Sequence, residues 1–334
     1  GGDLTFTHNA TGGDWCEIDI QNNDDTLMVG GNLVFTQNLG STGTDDDIRF
    51  DQNGGFSSIG GDLSVTINGG DDARITFNNA SVATIGGDLS IDQNGGDDSR
   101  IQFNSNATDV TVTGDITLDY SAGAGTNELH TNNAAVTNIR GNINLRSSAA
   151  GRVEIDMDHT SKINLGGDIT RQASPMKYGI LDMANATTIE YNGVALQTIG
   201  EDAGDGGDSF NHENVIFNNT GGAAPQFALE GPTTIDNSAT WTDGVLVSSS
   251  ANILIFPNNA TTSAGSNASH VDGPIRKEGN DDFLFPLGNS VICHPIEIEN
   301  LSGSTTFEAE YHRTGHADAA DVDATINNVS TIEY

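Results

Sequence analysis

A tripeptide of Gly, then Asp or Asn, then Leu or Ile recurs seven times in the first half of the chain. It stands at Gly2-Asp3-Leu4, Gly31-Asn32-Leu33, Gly61-Asp62-Leu63, Gly87-Asp88-Leu89, Gly114-Asp115-Ile116, Gly141-Asn142-Ile143 and Gly167-Asp168-Ile169. Successive anchors lie 29, 30, 26, 27, 27 and 26 residues apart. Two neighbouring units, Ser58–Phe77 and Thr84–Phe103, agree at fourteen of twenty positions. A repeat in register over this length restricts the chain to folds built by stacking copies of one small unit.

Within each unit the apolar residues alternate. The third unit reads Leu63, Val65, Ile67, then Ile75, Phe77, then Ala83, Ile85; the fourth reads Leu89, Ile91, then Ile101, Phe103, then Val110, Val112. Alternation with period two gives strands with one buried and one wet face. Three short strands separated by Gly, Asn and Asp turns describe one three-sided coil, which cannot bury its apolar face alone but can do so against a copy of itself. The unit is too short for a propeller blade, which needs about 40 residues and four strands. The chain is therefore expected to be all-β: a parallel β-solenoid of the right-handed β-helix type, with about 27 residues per coil, followed by a smaller antiparallel β domain. Stacked at roughly 4.8 Å per coil, seven coils make a rod on the order of 30 Å long.

The regular coils are expected over residues 1–199. From residue 200 the rhythm loosens, and residues 200–270 read as less regular coils ending in a polar linker, Thr261–His270. Residues 271–334 alternate over longer runs and read as the start of a sandwich-like domain. The chain enters at Gly1 inside the pattern, so it reads as a piece of a longer protein. The open strand edge of the first coil, Leu4–Thr7 and Glu17–Ile20, is expected to be covered by further coils or by the C-terminal region of another copy.

Composition narrows the function. The 334 residues carry 47 acidic and 12 basic side chains, a net charge of −35, and only three lysines: Lys162, Lys177 and Lys277. Such a surface repels nucleic acid and anionic lipid and favours cations. No apolar run reaches membrane-spanning length, so membrane insertion is not expected. The two cysteines, Cys16 and Cys293, lie far apart in sequence. No intrachain disulfide is expected, although an interchain bridge between neighbouring copies would be chemically open.

The stretch Thr234–Tyr311 contains Val271–Lys277 (VDGPIRK), Phe285–Gly288 (FPLG) and His294–Ile296 (HPI). It resembles the large secreted surface proteins of Bacteroidota, in which a strand-rich repeat region leads into a similar set of turns and strand edges. Cys293-His294 stands where Tyr-Arg is usual, and Leu287 where Val is common. The resemblance covers about a quarter of the chain and carries no catalytic residues. It implies export, an extracellular or cell-surface location, and an adhesive or structural role.

Candidate chemistry lies mainly in the turns. Asp71 and Asp72 occupy the same turn as Asp97 and Asp98 one unit later. Stacked about 5 Å apart, such carboxylates repel unless a cation or hydrogen-bond donors intervene. Calcium held by Asp71, Asp72, Asp97 and Asp98 is one reading; solvated turns partnered by Arg74 and Arg100 are the other. The anchor position alternates between Asp and Asn, which suits a hydrogen-bond acceptor capping turn N–H groups better than a cation ladder. Asparagines at Asn78, Asn104 and Asn132 are expected to stack as amide ladders. His312, His316 and Asp318 have metal-ligand spacing but no third partner of their own kind. No nucleophile or acid–base constellation stands out, and no enzymatic activity is expected. The expected role is an extracellular structural or adhesive solenoid, a subunit or segment of a surface filament or large adhesin. Its partners would be further copies of itself, head to tail, or a surface polysaccharide. The alternative is a carbohydrate-active or carbohydrate-binding β-helix.

Overall fold

The structure, a computed structural model, describes residues 1–9, 16–21, 26–38, 46–51, 56–69, 73–78, 82–95, 98–105, 109–121, 125–147, 152–171, 178–184, 186–200, 210, 212–303 and 305–312. The described residues form strands and turns with no helix, stacked in parallel as a β-solenoid of about seven turns with about 26 residues per turn. The chain divides into two compact units, Gly1–Glu190 with Ala203–Glu213, and Tyr191–Asp202 with Asn214–Tyr334.

The first unit has three parallel faces. One comprises Leu4–Asn9, Leu33–Asn38, Leu63–Asn68, Leu89–Gln93, Ile116–Tyr120, Ile143–Ser147 and Ile169–Arg171. The second comprises Cys16–Gln21, Asp46–Asp51, Ala73–Asn78, Ser99–Ser105, Thr126–Asn133, Arg152–Met157 and Tyr178–Met183. The third includes Thr26–Val29, Phe56–Ile59, Val82–Ile85, Asp109–Val112, Val136–Ile139 and Lys162–Leu165. Like lies on like. Leu33, Leu63, Leu89, Ile116 and Ile143 are mutual partners along one column, and all are fully buried. Each such burial stabilises by about 1.5–3 kcal/mol. Phe77 and Phe103 stack on the second face with ring centroids 5.4 Å apart. At the next step of that column the chain places Thr131, whose hydroxyl pairs with Ser161 Oγ at 2.9 Å, so that neither buried hydroxyl is orphaned. Leu4, at the end of its column, is 38% exposed where its stacked equivalents are covered.

The anchor turns explain the tripeptide. Asp3 Oδ1 accepts the N–H of Asn32, Asn32 Oδ1 that of Asp62, Asp62 Oδ1 that of Asp88, Asp88 Oδ1 that of Asp115, Asp115 Oδ1 that of Asn142, and Asn142 Oδ1 that of Asp168, all at 2.7–2.9 Å. The capped N–H belongs to the next coil, not to the acceptor's own turn. The preceding glycine is required by space: a Cβ on Gly87 would lie 1.9 Å from Asp62 Oδ1. A second ladder closes the first face, where Asn38 Nδ2 donates to Asn9, Asn68 Nδ2 to Asn38, Asn94 Nδ2 to Asn68, and Ser121 Oγ to Asn94. Asn78, Asn104 and Asn132 are in register, as expected of a stacked column; the side chains of the first two lie outside the described residues.

The second unit keeps parallel stacking with coils of uneven length. Gln197–Ile199 pairs with Phe227–Leu229, which pairs with Leu246 and Val247. Thr233 pairs with Leu254 and Leu254 with Ile275. The stretch Thr261–His270 is tied to the sheets at both ends. Thr261 and Thr262 pair with Ser238 and Ala239, and Ser269–Asp272 pairs with Gly244–Val247. Parallel neighbours hold these two ends extended, while the small polar residues between them, with Gly265 at φ +72° and Ser266 bridged antiparallel to Ser269, form a turn. Antiparallel pairing joins Ile275–Gly279 to Thr305–Ala309, Phe283–Phe285 to Ile296–Ile298, and Gly288 to Cys293, while parallel pairing persists as far as Leu287 and Gly288. Gly273, in the VDGPIRK turn, has φ +126°, and a Cβ there would meet Ser248 O at 2.3 Å, so both conformation and space demand glycine. Among the described residues no helix is long and apolar enough to cross a membrane.

Candidate functional site

The outward positions of the second face bring acidic and basic side chains together on neighbouring coils. In Thr126–Asn133 alternation sends Asn127, Leu129 and Thr131 inward and leaves Glu128 and His130 outward; in Arg152–Met157 it leaves Arg152, Glu154 and Asp156 outward. Register then places Glu128 against Glu154, and His130 between Gln102 and Asp156. One coil earlier Arg100 stands opposite Glu128, with Arg74 beyond it. The result is a groove of about 270 Å³ running from Arg74 and Asp98 past Arg100 and Glu128 to Glu154 and Asp156.

Two arginines are consumed by two glutamates. Arg100 donates to Glu128 Oε2 from Nε at 2.9 Å and lies 2.7 Å away through its terminal nitrogen. Arg152 reaches Glu154 Oε1 at 2.6 Å. His130 sits amid carboxylates: its Nε2 is 3.3 Å from Asp158 Oδ2 and 3.9 Å from Asp156 Oδ2, and its Nδ1 is 3.6 Å from Glu128 Oε1. Glu128 and His130 are each only 7% exposed, although they are on the outer face. Their facing atoms, Glu128 Oε1 and His130 Nδ1, have no hydrogen-bond partner.

Burial pushes the Asp156 carboxyl up to about 6, helped by a hydrogen bond shared with Glu128 and by the charges of Glu128 and Asp158, against the opposing pull of His130. Glu154 is also raised, first by burial and then by Asp156 and Asp182, with Arg152 opposing. Carboxyl groups this close titrate as a pair. Chemically the arrangement can hold a cation: one ligand atom each from Glu128, His130 and Asp156 falls within 4.8 Å of the others.

Of the residues singled out from sequence, Asp98 lines this groove, and its Oδ1 accepts the Thr126 N–H at 2.6 Å. Asp71, Asp72 and Asp97 lie outside the described residues, as do His316 and Asp318. His312 pairs with Glu310 at 3.4 Å. Cys293 is a free thiol, half-buried and raised by that burial; the Cys16 side chain lies outside the described residues. Sequence reasoning missed Glu128, His130, Asp156 and Asp158, because it followed the inward alternation. The signal was the outward half of two consecutive units, NELHTNN and RVEIDMD, taken one above the other. Compared with known proteins, no family model matches this chain, and neither a curated protein nor a solved structure does.

Proposed function

We propose that this chain is a structural or adhesive segment of an extracellular surface protein, a stiff solenoid that belongs to a filament or large adhesin. The unbroken Asp/Asn ladder from Asp3 to Asp168 carries this reading, since each coil caps the backbone of the next and presents the same template again. The turns of VDGPIRK and FPLG and the strongly acidic, lysine-poor composition support an exported protein. Its partners are further copies or further coils of the same kind, and surface polysaccharide. Protease shaving of intact cells, read with an antibody against the chain, is expected to remove the signal. A signal fully protected until lysis would refute the surface role.

A second reading, carbohydrate binding or turnover in the groove, is favoured by the raised carboxyls of Asp156 and Glu154 in a groove that also holds Arg74 and Arg100. Incubation with a panel of acidic and neutral polysaccharides separates the two. No release of new reducing ends or unsaturated products is expected. Release that disappears in Glu128→Gln would replace the structural reading with an enzymatic one.

A further inference from the structure

We propose that Glu128, His130 and Asp156 form a binding site for a first-row divalent transition ion of the zinc class on the outer face of the fifth and sixth coils. Asp158 Oδ2 is the acceptor nearest His130 Nε2, at 3.3 Å. A proton on Nε2 leaves Nδ1 with its lone pair pointing at Glu128 Oε1, 3.6 Å away. Both facing atoms are buried and have no hydrogen-bond partner. Two lone-pair-bearing atoms turned toward each other at that distance are a repulsive arrangement in isolation and a favourable one around a cation.

Local charge points the same way. Glu128, Glu154, Asp156, Asp158 and Asp182 gather on successive registered strands, and the two nearest guanidiniums, of Arg100 and Arg152, are already paired with Glu128 and Glu154. Among the described residues no guanidinium or ammonium group pairs with Asp156, Asp158 or Asp182, and only His130 comes near the first two. The donor set then selects the ion. An imidazole nitrogen with two carboxylate oxygens suits zinc and its neighbours, whereas calcium takes oxygen ligands, six to eight of them. Asp158 supplies the carboxylate behind the histidine that metal-bound imidazoles ordinarily have. Arg100 holds Glu128 by Oε2 and so keeps Oε1 turned inward. Three protein ligands leave a coordination position open for water or for a ligand oxygen from the groove.

Calorimetric titration of the full chain with Zn²⁺ after chelator treatment and dialysis tests the site. One ion per chain is expected to bind, with affinity falling at least tenfold in His130→Gln and in Glu128→Gln. Asp158→Asn, which touches only the supporting carboxylate, is expected to weaken binding by about tenfold. His312→Ala is expected to leave binding unchanged. Circular dichroism of each variant checks folding. Should His130→Gln fail to fold, the Co²⁺-loaded wild type supplies the readout: visible bands of a low-coordinate nitrogen–oxygen site, altered by Asp158→Asn. Absence of stoichiometric Zn²⁺ binding, affinity unmoved by both Glu128→Gln and Asp158→Asn, or Ca²⁺ binding at this site as tight as Zn²⁺, would each overturn the proposal.

Discussion

Lys277 is the least expected residue in the core. It is 1% exposed, and its ammonium donates to Pro257 O, to Glu278 O at 3.0 Å and to Asp281 Oδ1 at 2.8 Å, beneath the Phe283 ring. Burial pushes the Asp281 carboxyl up, but the Lys277 hydrogen bond, two backbone donors and the Lys277 charge together hold it below its usual value. Three acceptors thus converge on one cation, and removing it strands them. Lys277→Met is expected to cost about 3 kcal/mol, a drop of roughly 10 °C in the midpoint of the unit that holds it. Asp281→Asn, which keeps an oxygen acceptor at a more exposed position, is expected to cost less. Thermal unfolding of both variants decides the order. His212 is a second buried titratable group, and burial holds its imidazole down to about 4. Its folded value lies below the unfolded one near 6.5, so the unfolded chain takes the proton first. Stability is therefore complete above about pH 6.5 and is lost as pH falls toward 4, by roughly 3 kcal/mol in total. Asp156, raised rather than lowered, acts with the opposite sign in part of this window. The measurement is thus the difference between the pH profiles of the native chain and His212→Gln, which should shrink on acidification.

At the scale of turns and strands, the Asp/Asn ladder separates what charge does from what shape does. Asp88 Oδ1 accepts the Asp115 N–H at 2.8 Å, a bond that an amide oxygen makes equally well, as Asn32 and Asn142 do in the same column. Asp88→Asn is accordingly expected to be neutral or slightly stabilising, since it removes one of several like charges. Asp88→Ala leaves a turn N–H without its partner and is expected to cost about 1 kcal/mol; urea unfolding midpoints compare the two. This ladder was legible in sequence as an interchangeable Asp/Asn position, and the strands of the first three faces were legible as alternation at Leu63, Val65, Ile75, Phe77 and their copies. What was not legible was the partner of each group. Sequence shows that Asp88 can accept a hydrogen bond, but only stacking shows that the donor is Asp115, 27 residues on. The same gap hid the metal-like cluster. Glu128 and His130 look like an ordinary wet face until Arg100 from one coil and Asp156 from the next close over them. In Thr261–His270 the polar turn is legible, but the strands at its two ends are not, because a strand's sequence does not display the neighbour that pairs with it.

For the whole molecule the dominant quantity is the net charge of −35. In a globular chain of scattered charge this would act diffusely. In the solenoid, part of it is organised into columns, with Asp92 over Asp119, Glu128 over Glu154 and Asp156 over Asp182, each one coil apart at roughly 4.8 Å. That spacing is shorter than the Debye length at 0.1 M salt, about 10 Å, and far shorter than the 30 Å or so at 0.01 M. Neighbouring carboxylates in a column therefore repel at low salt and are only partly relieved at physiological strength. Where the column supplies its own counterion, as Arg100 and Arg152 do for Glu128 and Glu154, the repulsion is already offset. Where it does not, as for Asp92 and Asp119, the second carboxyl is raised by burial and then by its neighbour, with Arg146 opposing only in part. The melting temperature is consequently expected to rise by several degrees between 0.01 M and 0.5 M sodium chloride, opposite to a fold held by surface ion pairs. Millimolar Ca²⁺ at matched ionic strength is expected to add a further, smaller rise, because a divalent ion bridges adjacent carboxylates that a monovalent ion only screens. Differential scanning calorimetry with and without chelator reads both. A midpoint that falls with salt would mean that paired charges outweigh the columns. A midpoint indifferent to Ca²⁺ at constant ionic strength would mean that the acidic turns, Asp98 among them, are satisfied by backbone donors such as the Thr126 N–H alone.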